Sequence, residues 1–252
     1  MAKPLILITG ANQGIGFATA QHLANTGNYH LLIGARSILK GETAITELLA
    51  NSPVDRSSLT PIVIDVTDDA SIASAATFVT DTFGKLDILI NNAGICKSPD
   101  PAATLRDSFR TIFETNVFGV AVITAAFLPL LRASQYPDRR IVNVSTGLGQ
   151  FGVVYSPTSP YGAIHFSLTE YRSSKAAVNM ITAVDAVRLK DEGILVVAAS
   201  PGYCRTNFTG GKGVKDAAQG ARNIVRAAVE GEPESLFGTL VAEEYPVEEV
   251  GW

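Results

Sequence analysis

Leu5-Ile6-Leu7-Ile8-Thr9-Gly10-Ala11-Asn12-Gln13-Gly14-Ile15-Gly16 opens the chain with branched apolar residues that run directly into a glycine-rich turn. A short apolar run without polar alternation reads as a strand buried on both faces. The Ala-rich stretch at residues 17–25 has helical spacing. Strand, glycine turn and helix make the first half of a βαβ unit. In such a unit the glycines allow a tight turn and let backbone N–H groups approach a pyrophosphate, whose charge the helix N-terminus favours. The spacing is GxxxGxG, so the strict GxGxxG fingerprint is absent. Taken alone the loop serves equally as an ordinary strand-to-helix turn. Its place in the first βα unit points to a dinucleotide, with Gly10, Asn12, Gln13, Gly14, Ile15 and Gly16 as the contact residues.

The same rhythm continues outward. Apolar runs at residues 30–34, 62–66, 86–91, 141–144 and 194–199 predict further buried strands, and residues 38–50 and 71–83 predict crossover helices. The expected fold class is α/β, a Rossmann-type doubly wound parallel sheet of about seven strands with helices on both faces. Residues 1–252 are expected to form one domain. Ligands of such sheets sit beyond the carboxyl ends of the strands. Residues 147–170, rich in glycine, proline and aromatics, break the rhythm as an extended substrate-side loop, and the tail after Gly231 breaks it again.

Composition bounds the function. Of the 252 residues 46% are hydrophobic and 17% charged, enough apolar surface for a compact core. A net charge of -4 gives no basic field for a nucleic-acid backbone or an anionic membrane. Cys96 and Cys204 form no CxxC pair, which fits a reducing compartment, and the cytoplasm is the expected location. The apolar run at the start is too short for a signal peptide. The uncharged stretch from Thr115 to Leu131 falls below the ~20 residues of a spanning helix, and Pro129 interrupts it. His22, His30 and His165 lack metal-ligand spacing, so no metal is expected. The sequons at Asn143 and Asn207 matter only in a secreted chain, and the first lies in a strand-like run.

At the end of the second run, where a carboxylate would hold the ribose 2'-hydroxyl of NAD, stands Arg36. An arginine there favours a 2'-phosphate and hence NADP(H); read without context, it is a solvated residue opening a loop. Asp65 and Val66, ending the third run, either contact adenine or, for Asp65, cap the helix beginning near Asp68.

These residues, with three more motifs, resemble the short-chain dehydrogenase/reductase family. Thr9 to Gly16 matches its TGxxxGIG loop, Asn91-Asn92-Ala93-Gly94 its NNAG turn, Tyr171-Arg172-Ser173-Ser174-Lys175 its YxxxK pair, and Pro201-Gly202-Tyr203-Cys204-Arg205-Thr206 its PGxxxT segment. The matches fall in family order along nearly the whole chain. The resemblance implies that Asn92, Ala93 and Gly94 border the cofactor, and that Pro201, Gly202, Tyr203 and Thr206 lie along the nicotinamide. Gln13 stands where many NADP-using relatives carry a basic residue.

In YxxxK, residues i and i+4 share one helical face. A nearby ammonium favours phenolate, so Lys175 is expected to lower the pKa of Tyr171, which acts as acid/base. By resemblance Lys175 also binds cofactor ribose, and Asn116 orders a water beside the lysine. Relatives carry two consecutive serines after the fifth strand, the second holding the substrate carbonyl; here they are Ser145 and Thr146. Thr146 keeps the hydroxyl, and Ser145 substitutes if the turn shifts. The implied reaction is hydride transfer between NADP(H) and a small-molecule carbonyl or alcohol. Two other readings stand beside it: an NADP(H)-binding sensor or scaffold without turnover, and a biosynthetic reduction coupled to cyclisation.

The segment between Thr146 and Tyr171 is longer than in most relatives and resembles the insertion of carbonyl-reductase-like members. Phe151, Tyr155, Tyr161, His165 and Phe166 in it either line the substrate pocket or pack on themselves. In such relatives the insertion covers the helix face used for tetramers, so a monomer is expected. Sedimentation equilibrium checks this, and a tetramer overturns it.

Overall fold

The structure is a computed structural model that describes residues 3–156 and 168–243. In chain order its elements are β1 Leu5–Ile8, α1 Gly14–Thr26, β2 His30–Ala35, α2 Ile38–Asn51, β3 Leu59–Val63, α3 Asp69–Phe83, β4 Ile88–Asn91, α4 Leu105–Phe113, α5 Gly119–Ala133, β5 Arg139–Val144, α6 Phe151–Tyr155, α7 Thr169–Leu189, β6 Ile194–Ala199, α8 Ala217–Val225, α9 Pro233–Leu236 and β7 Leu240–Val241. The seven strands form one parallel sheet in the order β3-β2-β1-β4-β5-β6-β7. The chain winds outward in both directions from the paired strands β1 and β4, the doubly wound pattern that the sequence rhythm predicts.

Strand side chains alternate between faces, so each strand feeds two cores. Ile6, Ile8, Leu31 and Ile33 pack with Leu23 of α1, Ile45 and Leu48 of α2 and Ile224 of α8. Leu5, Leu7 and Leu32 pack on the other face with Ile72 and Val79 of α3, Ile123 and Phe127 of α5 and Leu189 of α7. This two-sided burial explains runs without polar alternation.

Three features depart most from the sequence reading, beyond shifts of one to three residues at other element ends. The third strand is Leu59–Val63 rather than 62–66. It is an edge strand, and Pro61, which lacks an N–H, is tolerated inside it. β7 is only two residues long, too short to leave an apolar run, and extends the sheet through Ala198↔Leu240 and Ala199↔Val241. The third difference concerns the uncharged stretch read as too short to span a membrane. A helix runs through Leu105–Ala133, including a π-helical turn at Glu114–Phe118, and by length and composition it could cross a membrane. Its most apolar window is 56% buried inside the fold. Ile123, Phe127 and Leu131 belong to the second core, so this is a core helix.

Buried polar groups fix the layers. Asn91 Nδ2 donates to Thr124 Oγ1 (3.1 Å) and Asn143 Oδ1 (2.9 Å), and Asn143 Nδ2 donates to Thr182 Oγ1 (2.9 Å). This ladder ties α5, β4, β5 and α7 together, and it uses the asparagine of the first sequon. At the far side Arg140, 2% exposed, donates to both carboxylate oxygens of Asp138 (2.6 and 2.7 Å) and to the carbonyls of Ala227 (2.9 Å) and Gly231 (2.7 Å). It thereby anchors the turn after α8 to β5. Removing one partner of a buried, hydrogen-bonded pair strands the others. Arg140→Met should therefore lower unfolding free energy by about 3 kcal/mol in urea denaturation.

Candidate active site

β1 and β4 are paired neighbours at the centre of the sheet, and the loops that follow them meet at their carboxyl ends. The Thr9 hydroxyl accepts the N–H groups of Asn92 and Ala93 (3.0 Å each), while Asn92 Nδ2 donates to the carbonyls of Thr9 (2.8 Å) and Gly10 (3.3 Å). Gly10 and Gly14 have φ of 63° and 59°, a region that favours glycine. A Cβ on Gly16 would lie 2.4 Å from Asn92 Nδ2 and 2.5 Å from the Gly10 carbonyl. Gln13 N-caps α1 without a side-chain bond to the first turn, leaving those N–H groups unused by side chains. Thr206, from beyond β6, reaches within 3.8 Å of a Cβ built on Gly14.

Beside this loop a cleft of about 270 Å³ is lined by Asn12, Gln13, Arg36, Leu39, Lys40 and Thr43. Lys40 was missed in the sequence; its place one helical turn beyond Arg36, at the start of α2, was the signal. A larger cleft of about 480 Å³, lined by Lys3, His30 and Lys85 among others, lies at the amino ends of β1 and β2, away from every candidate residue. Asp68, not Asp65, caps α3 by accepting from Ala70 N–H (3.0 Å). Asp65 instead accepts the N–H and hydroxyl of Thr67 (3.0 and 2.8 Å), and its neighbour Val66 packs where Gly119 leaves room.

Tyr171 and Lys175 lie on the inner face of α7, both buried. Lys175 Nζ donates to the Val144 carbonyl (2.8 Å) and stands 5.9 Å from the centre of the Tyr171 ring. Burial pushes the Tyr171 phenol above its ordinary range, with Cys96 adding to the effect. Burial also lowers Lys175 from 10.5 to about 8. The expected lowering of Tyr171 by its lysine is thus reversed, because both groups are desolvated and the ammonium is spent on a carbonyl. Asn116 sits in the π-helical turn, where its Oδ1 accepts Ile95 N–H (2.9 Å) and its Nδ2 donates to the Ile95 carbonyl (2.8 Å) and Ser174 Oγ (3.0 Å). A Cβ on Gly94 would lie 3.2 Å from Asn116 Oδ1 and 3.7 Å from Lys175 Nζ. The NNAG turn therefore stands directly over the polar pair.

The profile of the short chain dehydrogenase family matches residues 4–216. The chain belongs to this family. It is 65% identical over 252 residues to a short-chain dehydrogenase of Penicillium roqueforti, covering 100% of this chain and 99% of that one. It is 32% identical over 264 residues to a short-chain dehydrogenase/reductase of Talaromyces stipitatus, covering 98% and 97%. Among solved structures, the NADPH-bound carbonyl reductase from chicken fatty liver superposes with a TM-score of 0.77 at 28% identity, over 95% of this chain and 96% of that one. Salutaridine reductase of Papaver somniferum shares the fold, with a TM-score of 0.78 at 24% identity over 94% and 99%.

Within this short-chain dehydrogenase the two hydroxyls after β5 take different directions. Ser145 is buried and donates to Asn179 Oδ1 (2.6 Å) on α7. Thr146 is half-buried, its Oγ1 accepting Leu148 N–H (3.3 Å) at the start of the Gly147–Gly149 turn. That turn lies tight on α7, since a Cβ on Gly149 would come within 2.8 Å of the Lys175 backbone. In the long segment Phe151 and Tyr155 are exposed, at 64% and 81%, whereas Tyr161, His165 and Phe166 lie outside the described residues. Met180, Val184 and Val187 on the outer face of α7 are also exposed, and residues 157–167 of the segment expected to cover a helix face lie outside the described residues.

The buried ammonium costs stability. The folded chain holds the Lys175 proton less tightly than the unfolded chain, so the penalty is full below about pH 8 and is relieved as pH rises towards 10.5. Lys175→Met should raise unfolding free energy at pH 7 by about 1–3 kcal/mol and flatten its rise between about pH 8 and 10.5, read by urea denaturation across that range.

Proposed function

We propose that this short-chain dehydrogenase reduces a small-molecule ketone, aldehyde or quinone with NADPH, Tyr171 giving the proton. The observation that carries this reading is the buried Tyr171–Lys175 pair set beneath the NNAG turn and beside the glycine cradle. The cradle fits a dinucleotide: Gly10 and Gly14 take the positive φ of the turn, Gly16 lets α1 close on Asn92 with its N-terminus at the loop, and Arg36 with Lys40 offers two cations to a 2'-phosphate. Gly94, Pro201, Gly202 and Thr206 would flank the nicotinamide, and Lys175 with Tyr171 the adjoining ribose. When bound, the nicotinamide supplies hydride.

The chain's own residues handle the proton. A buried phenol with a raised pKa stays protonated at neutral pH, which suits proton donation to a carbonyl oxygen and opposes base catalysis in the reverse direction. Thr146, the hydroxyl not engaged by Asn179, is the group that polarises the carbonyl, while Ser145 holds β5 to α7. Lys175 returns a proton to Tyr171, and Asn116, held by Ile95 and Ser174, fixes the path beside it. The complete set Asn116, Tyr171 and Lys175 supports turnover over the scaffold reading; reduction coupled to cyclisation uses the same proton donor. Cys96 and Cys204 form no disulfide with each other, which supports a cytoplasmic setting.

The test is absorbance at 340 nm with NADPH or NADH and a panel of carbonyl compounds. We expect turnover with NADPH, lost in Tyr171→Phe, and a rate that falls above about pH 8 as Lys175 loses its proton. Arg36→Asp should reverse the cofactor preference, and Lys40→Ala should weaken NADPH by about tenfold with NADH unchanged. An unchanged NADPH to NADH ratio in both variants refutes the 2'-phosphate reading.

A further inference from the structure

Two segments that wall the site from opposite sides meet over Tyr171. Cys96 follows the NNAG turn, and Phe208 lies beyond the PGxxxT segment. The Phe208 ring stands edge-on to the Tyr171 ring, centroids 5.7 Å apart at 66°. Its backbone carbonyl accepts a hydrogen bond from Cys96 Sγ (3.1 Å). Tyr171 is only 8% exposed while Phe208 is 40% exposed, so the phenylalanine shows one side to solvent and covers the tyrosine with the other.

The backbone bearing Phe208 is fixed. Thr206 and Thr209 close a capping box around the Asn207–Thr209 turn, and Thr209 Oγ1 donates to the carbonyls of Cys204 (2.7 Å) and Thr206 (3.0 Å). Gly213 lies flat on the Cys204 backbone, where a Cβ would come within 2.3 Å. The movable part over Tyr171 is therefore the ring itself. A thiol donor is weak, so the Cys96 contact centres the Phe208 carbonyl without locking the side chain.

We propose that Phe208 determines substrate choice, favouring carbonyl compounds whose carbonyl is carried on a flat conjugated ring, with Cys96 as the residue that positions it. A reducible oxygen must come within hydrogen-bond reach of Tyr171, and the approach passes under Phe208. A flat ring entering there replaces the Tyr171–Phe208 edge contact with an aromatic contact of its own. A short aliphatic ketone breaks the contact and returns nothing. This assignment rests on the reductase reading of Tyr171.

The experiment measures kcat and KM with NADPH, and separately Kd for the protein with NADP+ bound, using 2-methyl-1,4-naphthoquinone and 2-butanone as probes. Phe208→Ala should raise KM and Kd for the naphthoquinone by about three- to tenfold, the worth of one aromatic pair, and shift butanone by less than about twofold. Phe208→Tyr should restore the difference, and Cys96→Ala should raise naphthoquinone KM with kcat kept. NADP+ affinity unchanged across the variants shows that each is folded. Equal losses for both probes, or no preference for the flat ring in the unmodified protein, overturns the proposal. Ring-selective binding without any turnover keeps it and refutes the reductase reading instead.

Discussion

The Thr9–Asn92 brace is the constraint on which the site depends. At the middle of a doubly wound sheet the chain leaves β1 and β4 in opposite directions, opening a crevice where backbone groups would go unpaired. One hydroxyl accepting two N–H groups and one amide donating to two carbonyls close it. The closure presses the glycine loop against the NNAG turn so tightly that Gly16 admits no Cβ. Everything downstream inherits that position: Gly94 stands over Asn116 and Lys175, and Thr206 comes to lie against Gly14.

The site is built against the solvation preference of its own residues. Tyr171, Lys175, Asn116 and Ser174 are all buried, and a buried ammonium is unfavourable unless its surroundings are over-determined. They are. The Asn91–Asn143–Thr182 ladder, the Ser145–Asn179 bond and the close turn at Gly149 hold α7 to β5 at three points. Stability spent on desolvating the pair is recovered from polar contacts that lie away from the reacting atoms.

What the sequence made legible follows from what it encodes locally. Strand runs and the glycine turn depend on neighbours in the chain, so Leu5 to Gly16 announced both the fold and the cofactor end. The YxxxK spacing placed Tyr171 and Lys175 on one helical face for the same reason. Less legible were properties that arise only between distant segments. The direction of the Tyr171 pKa depends on how many atoms cover the phenol, and no spacing states that. The separation of Ser145 from Thr146 depends on Asn179, and the ring over Tyr171 comes from Phe208, in a stretch whose local pattern reads as a plain loop. β3 was misplaced because a proline inside an apolar run is read as a break unless the strand is known to lie at an edge.

The π-helical turn at Glu114–Phe118 has a consequence for how the chain can change length. Such a turn carries one residue more than regular α-helical winding needs, and Asn116 stands inside it. Deleting one residue there would let the helix from Leu105 to Ala133 wind evenly, and local helix energy would improve. Because the wide turn absorbs the extra residue locally, the phase between Leu105–Phe113 and Gly119–Ala133 would be kept, and Ile123 and Phe127 would stay in the second core. The loss would fall on Asn116, whose bonds to Ile95 and Ser174 are made from the widened turn. The surplus residue thus serves the polar site at the middle of the helix and is silent in the apolar core beyond it.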